Sequence, residues 1–194
     1  MKGLLTILLA LFVFMGTTAQ NADKLYKQGK ELYDAKKYNE AFPRLKAAAE
    51  KGHKKAQYRL GRCYDKGNGV EKNDAKAFEW YSKSAAQDYA KAQYQVGKCY
   101  KDGEGTKKDR KKAVEFFKKA ALQENADAQY QLGKAYLKGK GIAANPEKAS
   151  EMLKRAVKNP KGGADIMLKL EKEAAEGDQD AKDMLDIVKK KKRK

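Results

Sequence analysis

Histidine, cysteine and proline are scarce in this 194-residue chain, which has one, two and three of them. The single histidine, His53, and two cysteines 36 residues apart, Cys63 and Cys99, offer no HExxH, CxxC or zinc-finger spacing. Two cysteines cannot staple a disulfide-built mini-protein. The shortage of proline suits a mostly helical chain. No G-x-S-x-G, P-loop or dinucleotide-binding glycine motif stands in a strand–turn–helix context, and no carboxylate pair is set apart for acid–base work. These absences argue against an enzyme and imply no metal and no cofactor. Negative charge is also in short supply: 26 Asp+Glu face 44 Lys+Arg, a net +18. What is present is enough apolar material, 41%, to bury a core in one domain or at most two small ones.

Only one long apolar run occurs, and it is at the start. Lys2 is followed by Leu4 to Met15, broken only by Thr6. Those 12 residues are too few for a bilayer core needing about 20, but suit a signal-peptide core. Gly16, Thr17, Thr18 and Ala19 follow, and the small-x-small pattern predicts cleavage after Ala19. The competing reading is a retained membrane anchor. Residues 1–19 are therefore expected to export the chain, as a periplasmic or secreted protein, and to take one charge, Lys2, with them.

A 36-residue period organises the rest of the chain. Ala56-Gln57-Tyr58-Arg59-Leu60-Gly61 recurs as Ala92-Gln93-Tyr94-Gln95-Val96-Gly97 and as Ala128-Gln129-Tyr130-Gln131-Leu132-Gly133. Tyr64, Tyr100 and Tyr136 come three residues after each glycine, and then the pairs Gly67/Gly69, Gly103/Gly105 and Gly139/Gly141. Leu60 and Tyr64 share a helix face. Gly67 stands where a helix must stop, because glycine accepts the left-handed C-cap conformation. Asn73, Asp109 and Asn145 are N-caps for a second helix, with Pro146 in the favoured first-turn position. That second helix is expected to run from Asp74 to Gln87, with Ala77, Phe78, Tyr81 and Ala85 inward. Gly61, Gly97 and Gly133 sit inside the first helix, where each costs about 1 kcal/mol. A cost repeated three times implies a close helix crossing.

These residues resemble the Sel-one-like repeat, a relative of the tetratricopeptide repeat. Gly69-Val70, Lys76-Ala77, Trp80-Tyr81 and Ala85-Ala86 match that family's unit closely. The resemblance implies an all-α fold, an αα-hairpin repeat solenoid with a right-handed superhelix. Three such repeats are placed at 56–91, 92–127 and 128–163. Residues 22–55 look like a tetratricopeptide-like first repeat: Gly29 to Ala41 spans 12 residues where Gly61 to Ala77 spans 16, and Pro43 is assigned to the first turn of its second helix. Residues 164–191 read as a degenerate capping pair, with Ala164 and Leu168 keeping the 36-residue phase. Lys189 to Lys194 is a basic tail.

The resemblance places the first helix of each unit along a concave groove. Tyr26, Tyr58, Tyr94 and Tyr130 occupy one equivalent position there, and four residues on stand Lys30, Arg62, Lys98 and Lys134. An i, i+4 pair shares a face, so each unit offers a ring beside a cation, suited to carboxylates or phosphates. The expected function is an exported, non-enzymatic scaffold that binds an acidic peptide or protein segment. The rival is a polyanion binder for anionic lipid headgroups or glycans, aided by Lys189, Lys190, Lys191, Lys192, Arg193 and Lys194. Nucleic acid is not expected for an exported chain. Some exported relatives are credited with binding or hydrolysing β-lactams, but no serine–lysine motif stands here. Cys63 and Cys99 align with Ala135, which reads as a small buried position, and a spacing of about 8–10 Å between neighbouring helices favours thiols over a disulfide. His53 reads as a solvated turn residue, and Trp80 as packing.

Overall fold

The computed structural model describes residues 20–190, so the expected leader and Lys191, Lys192, Arg193 and Lys194 lie outside the described residues. The chain divides into two compact units, residues 1–89 and 90–194. The first contains α1 (20–34), α2 (Tyr38–Glu50), α3 (Lys54–Lys66) and α4 (Asp74–Ala85). The second contains α5 (Ala90–Asp102), α6 (Arg110–Leu122), α7 (Ala126–Lys138), α8 (Pro146–Lys158), α9 (Gly163–Ala175) and α10 (Gln179–Lys189). Among the described residues there is no strand, and no helix is long and apolar enough to cross a membrane.

A few side chains set the hairpin turns. Gly67 ends α3 at φ 71°, where its amide returns to the Cys63 carbonyl. Past a short loop, Asn73 Oδ1 accepts from the Lys76 amide at 2.9 Å and starts α4. Asp109 does the same to Lys112 at 3.0 Å, and Asn145 to Lys148 at 2.8 Å. The cap amides are used as well. Asn73, Asp109 and Asn145 donate to the carbonyls of Tyr64, Tyr100 and Tyr136, pinning each turn to the preceding helix.

The helices of a hairpin meet at the glycines. A Cβ on Gly61 would stand 2.6 Å from the Tyr81 ring, one on Gly97 2.6 Å from the Phe117 ring, and one on Gly133 2.7 Å from Leu153 Cγ. Gly29 meets Leu45 in the same way, at 2.9 Å. Its partner lies 16 residues on instead of 20, because the turn between α1 and α2 is four residues shorter. The first unit's core gathers Tyr33, Ala41, Leu45 and Cys63. In the second unit, Val114, Phe117, Leu132 and Met152 form one cluster, and Tyr130, Leu153, Ile166, Leu170 and Met184 form another.

The glutamine of each Ala-Gln-Tyr triplet is buried and bound to an amide 30 residues on. Gln87 Nε2 donates to Gln57 Oε1 and Gln123 Nε2 to Gln93 Oε1, both at 2.8 Å, and Asn159 Nδ2 donates to Gln129 Oε1 at 3.3 Å. Each clasp ties the start of a repeat's first helix to the end of its second, for about 1 kcal/mol. The repeat pattern showed these glutamines without showing their partners.

Several expectations are corrected. Pro43 is the sixth residue of α2, not in its first turn; it leaves the Asn39 carbonyl, at an exposed position, without its helical donor. Helix α4 stops at Ala85, and Ser84 is buried in it, its hydroxyl donating to the Lys54 carbonyl at 2.7 Å. The 36-residue phase does not reach the closing pair: Ala164 is exposed and Leu168 is 68% exposed. Ile166 and Leu170 are buried instead, each 34 residues after its counterpart, Leu132 and Tyr136. Lys189 is the last residue of α10, paired with Glu171 at 3.1 Å, and is not part of a tail. Cys63 and Cys99 are both buried, and burial pushes the Cys63 thiol up to about 12.

Candidate partner-binding site

The tyrosine–cation positions differ from unit to unit once their neighbours are in place. In the first unit Tyr26 is half-buried and stacks on His53 at 4.3 Å. Lys30 is held by Asp34 at 2.7 Å. Tyr58 packs between Tyr81 and Tyr89, and the Arg62 guanidinium lies 5.7 Å from the Tyr33 ring centre. These cations are already engaged within their own unit.

His53 is a structural residue, not a solvated one. It caps α3, with Nδ1 accepting from the Ala56 amide at 3.1 Å and Nε2 lying 3.1 Å from Asp23 Oδ1. Its side chain is 13% exposed. The signal was available, because Asn125 stands two periods later and caps α7 through the Ala128 amide at 2.8 Å. Burial holds the His53 pKa below 6.5, outweighing the Asp23 carboxylate that raises it; Lys55 acts in the same direction as burial. The stability due to neutral His53 is therefore complete above pH 6.5 and is lost as pH falls through the lower folded-state value. Protonated Nδ1 can no longer accept, so about 1 kcal/mol of capping goes with it. His53→Asn, which keeps a cap acceptor, is expected to lose less Tm than the unaltered chain between about pH 7 and about pH 5. Equal losses in thermal melts would show that His53 does not couple to pH.

In the second unit Tyr94 is half-buried, its ring 6.0 Å from Phe117. Tyr130 is not presented to a partner. It is 3% exposed, covered by Ile166 and its cluster, and burial raises its hydroxyl to about 12. Lys134 emerges above it, with Nζ 5.3 Å from the Tyr130 ring centre, while Lys169 of α9 lies 5.6 Å from the same ring.

Lys134 opens into a cavity of about 330 Å³ built by α5, α6, α7, the turn after α7, and α9. Lys101, Arg110, Lys138, Lys140 and Lys169 join it there, with Gln131 as the neutral polar residue. Ala113, Val114, Phe117 and Ala135 give an apolar floor, and no carboxylate lines the space. Asp102, Asp180 and Glu173 pair with Lys101, Lys138 and Lys169 from outside. Arg110, Lys134 and Lys140 have no carboxylate within 4 Å among the described residues. Burial, with Lys138 and Lys169 nearby, lowers the pKa of Lys134 and outweighs Glu173 and Asp180, which raise it, so its charge gains from a further anion. Of the eight ladder residues the cavity takes up only Lys134; Lys98 does not line it. Its other cations sit at other repeat positions, which a ladder read at one position could not reveal. No cluster of three metal-ligating side chains occurs among the described residues.

The stacked hairpins, with their capped turns and glycine crossings, define an αα-hairpin repeat protein, an all-helical solenoid. Residues 54–89, 90–125 and 126–160, more than half of the chain, match the Sel1 repeat, and the chain belongs to that family. The crystal structure of a Sel1 repeat protein from Oxalobacter formigenes superposes with a TM-score of 0.67 at 39% identity, over 74% of this chain and 60% of that one. That of c5321, a protective antigen present in uropathogenic Escherichia coli strains and displaying an SLR fold, gives 0.72 at 26% identity, over 90% of this chain and 40% of that one. An exopolysaccharide production negative regulator of Rhizobium meliloti (strain 1021) is 39% identical over 59 residues, 30% of this chain. The chain spans 22% of that regulator's length. Sel1 repeat proteins generally mediate protein–protein interaction, on a fold that is typically a non-catalytic scaffold.

Proposed function

We propose that this chain is an exported, non-catalytic interaction scaffold whose second unit grips an acidic segment of a partner protein. The observation that carries the reading is the cavity around Lys134, where six cations gather and Arg110, Lys134 and Lys140 have no ion-pair partner within 4 Å among the described residues. A carboxylate entering it makes charge-assisted hydrogen bonds at a partly desolvated site, each worth about 1.5–3 kcal/mol, more than at an open surface. The signal-peptide pattern in the sequence of residues 1–19 supports export, and the excess of cations speeds encounter with an acidic partner.

A fluorescein-labelled peptide of alternating Asp and Glu is expected to bind the chain in an anisotropy titration. The pair Lys134→Glu and Arg110→Glu should weaken it at least about tenfold at constant helical content. Native affinity in that variant would remove the cavity from the reading. Displacement of the peptide by anionic vesicles alone, and by no acidic protein segment, would favour an envelope polyanion as the natural ligand.

A further inference from the structure

We infer that the Lys134 cavity is built for a dianionic phosphoryl group carried on a small phosphomonoester. This rests on the reading that the cavity is the ligand site, and gives it a second, competing occupant. Charge points to it first. Six cations line the cavity, and the three carboxylates paired with some of them, Asp102, Asp180 and Glu173, stand outside it, which leaves three positive charges in excess. One carboxylate would leave two unmatched positive charges in a partly enclosed space, whereas a phosphoryl dianion leaves one. Donor capacity agrees. The Arg110 guanidinium offers five N–H groups, and Lys134 and Lys140 three each. Three phosphoryl oxygens use such a set more fully than the two oxygens of a carboxylate. No carboxylate lines the wall among the described residues, so none stands in direct contact with the ligand.

Shape limits what the phosphoryl group is attached to. At about 330 Å³ the cavity lies near the lower end for small-molecule sites, which admits one side chain or one small ester and leaves room beside a phosphoryl group. Ala113, Val114, Phe117 and Ala135 also line the space, so a small body with an apolar side suits the ester.

Calorimetric titration of the full chain at about pH 7.5 and low salt compares phenyl phosphate with benzoate, which has a similar ring and one charge, and with inorganic phosphate, which has no ring. Phenyl phosphate is expected to bind at least about tenfold more tightly than either. Its affinity should fall below about pH 6, where the phosphoryl group takes up its second proton. Lys134→Gln and Lys140→Gln should each weaken it about tenfold. Lys118→Gln, exposed on α6 outside the cavity, should leave it unchanged. Benzoate or inorganic phosphate matching phenyl phosphate would overturn the inference, as would equal losses in Lys118→Gln. An acidic peptide that binds through Lys134 and Arg110 but is untouched by phenyl phosphate also overturns it, and leaves the scaffold reading standing. Phenyl phosphate binding to a chain that binds no acidic peptide does the reverse.

Discussion

Gly97→Val is expected to destabilise the second unit by about 3 kcal/mol, although valine is the better helix former. The propensity gain is under about 1 kcal/mol. Against it, the new Cβ would stand 2.6 Å from both Phe117 Cδ1 and Cε1, and 3.3 Å from the Ala113 carbonyl oxygen. The ring is held in place by its neighbours: Phe117 is 2% exposed and belongs to the cluster with Val114, Leu132 and Met152. Moving α6 away from α5 instead would open that cluster, and overpacking of this kind costs about 1–3 kcal/mol or more. Urea unfolding followed by circular dichroism measures the change. A variant as stable as the parent would show that the glycine is not there for the crossing.

Leu153→Ala should cost about 3–4 kcal/mol and loosen the closing pair first. Leu153 is fully buried, rests on Gly133, and shares a cluster with Tyr130, Ile166, Leu170 and Met184. Removing it leaves a cavity between α8 and the helices that close the unit, in the range of about 2–5 kcal/mol for a buried leucine. Repeat arrays are stabilised chiefly through nearest neighbours, so amides of α9 and α10 should gain the most hydrogen exchange while those of α5 change little. A loss below about 1 kcal/mol, or exchange rising evenly over the second unit, would place the weight of the closing pair elsewhere.

Much of the fold arises from local chemistry and was legible in the sequence. A glycine every 36 residues, a cap residue 12 positions later and an apolar stripe following the cap dictate a helical hairpin three times over, because each acts on its own stretch of chain. The short first turn could be read in the same way, from the spacing of Gly29 and Ala41. Residues that act only through their neighbours were less accessible. The glutamine of the triplet gave no hint of its amide partner 30 positions on, and His53 read as a bare turn residue until Asp23 and Tyr26 closed on it. The closing pair drifted from a 36-residue to a 34-residue phase because it lacks the repeat glycine and must fill the last core with Ile166 and Leu170.

The sequence by itself determined the helical hairpins, the caps Asn73, Asp109 and Asn145, the glycine crossings and the family. Only the tertiary structure decided which rungs of the tyrosine–cation ladder face anything. Tyr94 and Tyr130 occupy one repeat position, yet Tyr94 is half-buried and Tyr130 is sealed, because burial depends on what packs over a helix and not on its own residues. The cavity has the same origin. Lys101, Arg110, Lys134 and Lys169 belong to four different helices and to no common period; the packing of α5, α6 and α7 brings the first three together, and α9, closing over Tyr130, adds the fourth.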